Sequence, residues 1–178
     1  MWNDPMLAGE GFRIQPLMSN PGQDFNPRSM AYHLIPNLDD ARTYTRFMSH
    51  WVGDAGVCLV SIDVPINMID ETPRYILHFP SPEWKRVVSR RGTGLSTVCL
   101  QAYQAELLVG DVATGAEVAY GRMKSPDEVT ELNVLKNEKG EKICQYVCVG
   151  DLESVVDENP SWCTVWDHET LTELSYGR

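Results

Sequence analysis

From Asn37 onward, apolar residues recur at three- and four-residue spacing: Leu38, Ala41, Tyr44, Phe47 with Met48, and Trp51. That period lines one face of an α-helix, with Asn37 or Asp39 placed to cap its start and Gly53 to stop it. The aromatic stripe on this helix reads as core packing. The run Val57 to Val64, rich in β-branched residues and set between Gly56 and Pro65, predicts a largely buried strand, and Tyr75 to Phe79 predicts a second. Ser81-Pro82-Glu83-Trp84 supplies a capping hydroxyl, a proline at the first helical position and an acid in the first turn, so a helix is expected over Pro82 to Arg91, ending before Gly92. Downstream, Glu128 to Leu135 and Glu141 to Val149 look extended and flank Lys136 to Gly140, which predicts a hairpin with a longer loop. The first 25 residues are punctuated by Gly9, Gly11, Pro16, Pro21 and Gly22 and read as loop with one short element.

Strands and helices interspersed with a hairpin indicate an α+β class with a mixed or antiparallel sheet. A chain of 178 residues is ample for one packed core and short for two, so a single domain over 1–178 is expected. With 43% hydrophobic and 22% charged residues the composition is that of a globular chain. No apolar run reaches membrane-spanning length, and Met1-Trp2-Asn3-Asp4-Pro5 lacks the features of a signal peptide, so a cytoplasmic protein with no membrane partner is expected.

Charge changes the picture more. A formal net charge of −10 argues against a surface that holds nucleic acid through phosphate contacts alone, while leaving room for a local groove. Lys85, Arg86, Arg90 and Arg91 fall close together and would fan across much of the helix they lie on, as a solvated face or a phosphate-contacting patch. Five cysteines, Cys58, Cys99, Cys144, Cys148 and Cys163, are odd in number and spread out, which is not a disulfide scaffold. Cys144 and Cys148 would share one face of a strand, yet no second Cys or His pair accompanies them, and His33, His50, His78 and His168 show no ligand spacing. No metal is expected.

The stretch with the most chemical promise is Gln104-Ala105-Glu106-Leu107-Leu108-Val109, one carboxylate at the mouth of an apolar, strand-like run. Burying that carboxylate without a partner would cost several kcal/mol, so Glu106 is expected at an exposed strand end or held by hydrogen bonds in a cleft. Near the N-terminus, Asn26-Pro27 favours a turn, and Arg28-Ser29 then presents a cation and a hydroxyl suited to a phosphate or carboxylate. Together, Asp24-Phe25-Asn26-Pro27-Arg28-Ser29-Met30-Ala31-Tyr32 and Gln104 to Val109 resemble two segments of the DarT-type ADP-ribosyltransferases, toxins that use NAD to modify DNA bases. That family carries an aromatic-x-Pro-Arg-Ser segment followed by Met and Tyr, and later an Ala-Glu segment before an apolar strand.

The resemblance implies a split-sheet ADP-ribosyltransferase fold and a toxin-like NAD-consuming transferase acting on a DNA base or another macromolecular acceptor, with an antitoxin or inhibitor protein as a partner. It makes Glu106 the catalytic carboxylate, and Arg28 a clamp on the phosphates of NAD. Ser29 becomes a ribose or phosphate contact and Tyr32 a stacking partner for a ring. Family members begin with a Tyr-His-x-Thr type segment, whereas here Tyr32-His33-Leu34-Ile35 follows the Arg-Ser pair, in the reverse order, as in a divergent or N-terminally shortened member. Two other classes fit the residues: a catalytically inactive acidic interaction or inhibitor protein on the same scaffold, for which the net charge is suited, and a structural subunit of a larger assembly.

Overall fold

A computed structural model describes residues 31–52, 58–89, 104–114, 117–149, 152 and 163–167. Its strands are β1 (Tyr32–Leu34), β2 (Cys58–Ile62), β3 (Arg74–Leu77), β4 (Leu107–Asp111), β5 (Cys144–Cys148) and β6 (Cys163–Asp167). Its helices are α1 (Leu38–Val52), α2 (Ile66–Glu71), α3 (Pro82–Ser89) and α4 (Glu117–Gly121), with two 3-10 turns at Pro126–Glu128 and Glu131–Asn133.

The local signals at the two longest helices act as the sequence predicts. Asn37 Oδ1 accepts the backbone N–H of Asp39 at 2.9 Å and of Asp40 at 3.3 Å, capping α1. Ser81 Oγ accepts the N–H of Trp84 at 3.2 Å, capping α3 with Pro82 as its first residue. Tyr44 and Phe47 of α1 pack on Val112, Leu135 and Ile143, whereas Leu38, at the helix start, is exposed. The expected strand at residues 57–64 is β2, paired antiparallel with β6. The strand is not largely buried: among its described side chains only Leu59 is buried, Val60 and Ile62 are partly covered and Ser61 is exposed, since a ribbon of two strands offers little sheet to cover it.

The larger sheet has four strands in the order β1-β5-β4-β3, with β3 and β4 parallel and the other neighbours antiparallel. It is an open mixed sheet in an α+β arrangement. All five residues of β4 are buried, which is the burial expected of a central strand covered on both faces. Leu77, Leu108 and Val147 belong to one apolar cluster with Trp84, Val87 and Val88 of α3. A second cluster gathers Tyr32, Leu34 and Cys148 with Ile62, Val64, Met68 and Leu152.

Two expectations need correction. The strand foreseen from Ala105 begins two residues later, at Leu107, since the ladder with β5 ends there and only one further backbone bond, Val149 N–H to the Glu106 carbonyl at 3.0 Å, reaches beyond it. The extended run foreseen from Glu128 to Leu135 is interrupted by 3-10 turns, which take in Glu128 and Glu131–Asn133. Glu128 Oε1 accepts the N–H of Lys124 at 2.8 Å and of Ser125 at 3.0 Å, and Asn133 Oδ1 accepts that of Thr130 at 2.8 Å. These polar side chains satisfy the backbone locally and override the β-forming tendency of their neighbours. Leu132 consequently stands 90% exposed, and the chain rejoins the ladder only at Val134 and Leu135. The hairpin loop is present. Asn137 Oδ1 accepts the N–H groups of Lys139 and Glu141, both at 3.0 Å, and Gly140 takes φ of +78°.

Register decides what the sheet brings together. Tyr32 pairs with Cys148, Cys148 with Leu107, and Leu107 with Arg74, so one end of the sheet gathers Tyr32, Glu106 and Arg74. The other end gathers His78, Asp111, Lys142 and Cys144. Five residue steps along the strand separate Glu106 from Asp111, roughly 16 Å.

The β3–β4 contact generates a stability prediction. A Cβ at Gly110 would stand 2.6 Å from the carbonyl oxygen of Leu77, a backbone atom that cannot rotate away, whereas one at Gly121 would meet nothing within 4 Å. Gly110→Ala should lower the unfolding free energy by about 1–3 kcal/mol in urea titrations, while Gly121→Ala should lose nothing.

Candidate functional site

At the first end of the sheet, Glu106 is exposed, and among the described residues its side chain has no hydrogen-bond or ion-pair partner. This is the exposed strand end that the cost of burying a lone carboxylate predicts. Its backbone is nonetheless held, through its own carbonyl and through the buried Leu107 that follows. Tyr32 lies in the same row two strands away, about 10 Å at ordinary strand spacing. Its side chain is covered by the second apolar cluster, and the residue is only 3% exposed. Arg28 and Ser29 lie outside the described residues.

A shallow pocket of about 350 Å3 flanks Glu106, lined by Pro73, Arg74, Tyr75, Gln104 and Ala105. Arg74 is exposed, sits in register with Leu107, and has no hydrogen-bond or ion-pair partner among the described residues. Sequence reasoning missed it, because its position depends on the parallel pairing of β3 with β4, which no local pattern announces. A larger cleft of about 480 Å3 lies between the start of α1 and the hairpin loop, lined by residues that include Asp39, Asp40, Arg42, Arg46, Glu138 and Glu141. Many of its polar groups already serve one another: Arg46 Nη1 contacts Glu138 Oε1 at 2.7 Å, and Asn137 Nδ2 donates to Asp40 Oδ1 at 2.9 Å.

At the opposite end, Asp111 is a buried carboxylate with its side chain 4% exposed. Its Oδ1 lies 2.8 Å from His78 Nδ1, and its Oδ2 accepts the Phe79 N–H at 2.8 Å and faces Lys142 Nζ at 3.4 Å. Lys142 also donates to the Phe79 carbonyl at 2.5 Å, and Trp84 Nε1 donates to the Asp111 carbonyl at 2.9 Å. The imidazole is half exposed and bonded to Asp111 through Nδ1, which leaves Nε2 as the other ring nitrogen. Cys144 stands opposite Asp111 across the ladder, and its thiol pKa is pushed up, first by burial and then by the Asp111 charge. A thiol so placed stays protonated and is a poor nucleophile. The cluster therefore fixes the turn after β3 to the end of β4, with donors matched to both carboxylate oxygens.

A third polar pair lies between β1 and β5. His33 Nδ1 lies 3.1 Å from the Oε1 of Gln145, a side chain that is itself buried. Among the described residues, neither His33 Nε2 nor Gln145 Nε2 has a hydrogen-bond partner. Burial lowers the His33 pKa, against a smaller upward pull from the Gln145 hydrogen bond.

Among the described residues, no helix is long and apolar enough to cross a membrane, and no group of three or more His, Cys, Asp or Glu side chains is arranged to hold a metal ion. Comparison with protein-family models, with curated proteins and with solved structures finds no match. The geometry at the two ends of β4 is therefore what bears on function.

Two outcomes follow from these environments. Asp111→Ala removes the acceptor shared by the Phe79 N–H and Lys142 and should cost about 3–5 kcal/mol in chemical denaturation, whereas His78→Ala, at a half-exposed site, should cost less than about 1 kcal/mol. Because the folded-state pKa of His33 is depressed, the folded protein binds fewer protons than the unfolded chain below pH about 6.5. Its contribution is complete above that pH and lost as the pH falls toward the lower folded value. Unfolding curves between pH 7.5 and 5 should show this loss, and His33→Gln should flatten it.

Proposed function

We propose that the protein is an NAD-dependent ADP-ribosyltransferase with Glu106 as its catalytic carboxylate, acting on a nucleic-acid base or another macromolecular acceptor. The observation that carries this reading is Glu106 itself: an exposed carboxylate, unpaired among the described residues, on backbone anchored at the mouth of a strand buried throughout. Rigid backbone beneath a free acid is what a positioned catalytic group requires.

The reaction is substitution at the ribose carbon that bears nicotinamide. The acceptor's nucleophilic atom forms a bond to that carbon, the carbon–nitrogen bond to nicotinamide breaks, and nicotinamide leaves as a neutral molecule. Positive charge builds on the sugar in the transition state, where the Glu106 carboxylate stabilises it, and the same carboxylate accepts the proton the acceptor loses. On the family resemblance, Arg28 holds the phosphates of NAD and Ser29 contacts a ribose or phosphate oxygen, while Tyr32, the ring-stacking residue of the resemblance, is covered by the second apolar cluster and is left out of the contact set. The two separate sheets, β1-β5-β4-β3 and β2-β6, are compatible with the split-sheet transferase fold. A toxin-like enzyme of this kind would work in the cytoplasm, where NAD is present, and be held in check by an inhibitor protein.

The second reading is a catalytically inactive, acidic interaction protein. The net charge of −10 favours it, since an acidic surface suits a partner's basic one.

Glu106→Ala separates the two. An exposed residue outside the core should change stability by less than about 0.5 kcal/mol, so the variant should fold and bind NAD as before while NAD consumption is abolished. Turnover of NAD by the wild-type chain with a nucleic-acid or protein acceptor, followed by release of nicotinamide, is the measurement. Undiminished turnover in the variant, or none in the wild type, would leave the acidic interaction protein as the better account.

A further inference from the structure

We infer that β1 is a pH-sensitive latch on the four-stranded sheet: protonation of His33 releases the strand from β5 while β3, β4 and α3 stay folded. The latch is independent of the reading of Glu106, whose backbone is held from the end of β5 and not from β1.

β1 is three residues long and stands last in the sheet order, with β5 as its paired neighbour. Opening so short a strand costs less than unfolding the sheet. His33 is its middle residue, opposite Val147, and the ring Nδ1 lies 3.1 Å from Gln145 Oε1. With Oε1 accepting, Nδ1 holds the proton of the neutral ring and Nε2 holds a lone pair. Protonation adds an N–H at Nε2, a buried atom without a hydrogen-bond partner among the described residues. Gln145 does not relieve it, because the unpartnered atom of that amide, Nε2, is itself a donor. Turning the amide over changes nothing: its N–H would then donate to Nδ1, and a proton added there would set two donors face to face. The closed strand therefore accepts only the neutral ring.

No neighbouring charge offsets that cost. By strand alternation the residues on the His33 side of the sheet are Gln145 and Val147 of β5 with Leu108 and Gly110 of β4, and α3 lays Trp84, Val87 and Val88 over them. None of these ionises. Cys144, Tyr146, Cys148 and Asp111 fall on the opposite face. On α1, Arg42 is a cation, Arg46 is held by Glu138, Asp40 accepts from Asn137, Asp39 and His50 are exposed, and Tyr44 stays neutral because burial raises its pKa. Burial and the Gln145 hydrogen bond are the two influences on the ring, and burial is the larger. Below the ordinary imidazole value of 6.5, an opened strand takes up a proton that the closed strand refuses. Each unit by which the closed-state value is depressed raises the ratio of open to closed by up to about tenfold. Opening draws Tyr32 out of the second apolar cluster and bares the backbone edge of β5.

The test is amide hydrogen exchange of the full chain at pH 7.5 and 5.5, expressed as protection factors so that the intrinsic pH dependence of exchange is divided out. In wild type, protection over Tyr32–Leu34 should fall about tenfold or more at the lower pH, while β3, β4 and α3 keep theirs. His33→Gln, which cannot take the proton, should hold the same protection at both values. Gln145→Glu sets a carboxylate against the ring and should keep the strand closed at pH 5.5; if that buried acid prevents folding, His33→Gln alone decides. His50→Gln and His78→Gln, at exposed histidines, should leave the wild-type fall in place. Protection over β1 that does not change with pH overturns the latch. So does a fall shared equally by β3, β4 and α3, which would be global unfolding, or a fall that persists in His33→Gln, which would assign it to another group.

Discussion

A strand buried on both faces has no room for an unpaired charge, and β4 has a carboxylate at each end. Leu107, Leu108, Val109 and Gly110 are all covered, so the chain can place acids only where the strand enters or leaves the sheet. The two ends meet this constraint in opposite ways. Asp111 stays inside and is matched by His78, the Phe79 N–H and Lys142, while Glu106 stays outside in water. An isolated ionised carboxylate in an apolar interior would have neither solution, and its desolvation would exceed what the burial of two or three leucines contributes.

The Asp111 solution organises the sheet around it. By accepting the Phe79 N–H it ties the turn after β3 to the end of β4, and the Asp111 carbonyl receives the indole N–H of the fully buried Trp84. Phe79 meets Trp84 edge to face, with ring centroids 5.4 Å apart, and Lys85 and Lys142 lie over the Phe79 ring at 5.6 and 5.7 Å. The carboxylate thus joins strand, turn and helix α3 at one point, and the close approach of Gly110 to the Leu77 carbonyl lets β3 and β4 meet there. At the opposite end the Glu106 carbonyl accepts the Val149 N–H, so the backbone beneath the solvated side chain is held to β5.

Those parts of the structure governed by neighbours in the chain were legible in the sequence. The caps of α1 and α3 act within three residues, and the apolar run before Gly110 reads directly as a central strand. The position of Glu106 was legible because a cost argument, not a pattern, places it. The stretch after Glu128 was misread because valine, leucine and threonine at these positions favour strands, while the asparagine and glutamate side chains that decide the outcome act by closing local hydrogen bonds. The Asp111 cluster and Arg74 were not legible at all. His78 and Lys142 reach Asp111 from 33 and 31 positions away, and Arg74 meets Leu107 through a parallel pairing across an intervening helix. Neither follows from any window of sequence short enough to read by period.

This contrast also argues for which end of the sheet carries the chemistry. A polar group with its hydrogen bonds filled by the protein is already at work holding the fold, and diverting it to a ligand would expose the donors it satisfies. Both oxygens of Asp111 are in that position. At the other end, Glu106 and Arg74 carry opposite charges on residues flanking or paired with Leu107 in adjacent strands, yet no ion pair joins them. The Glu106 carboxylate, in water and without a partner among the described residues, has no donor of the fold to give up.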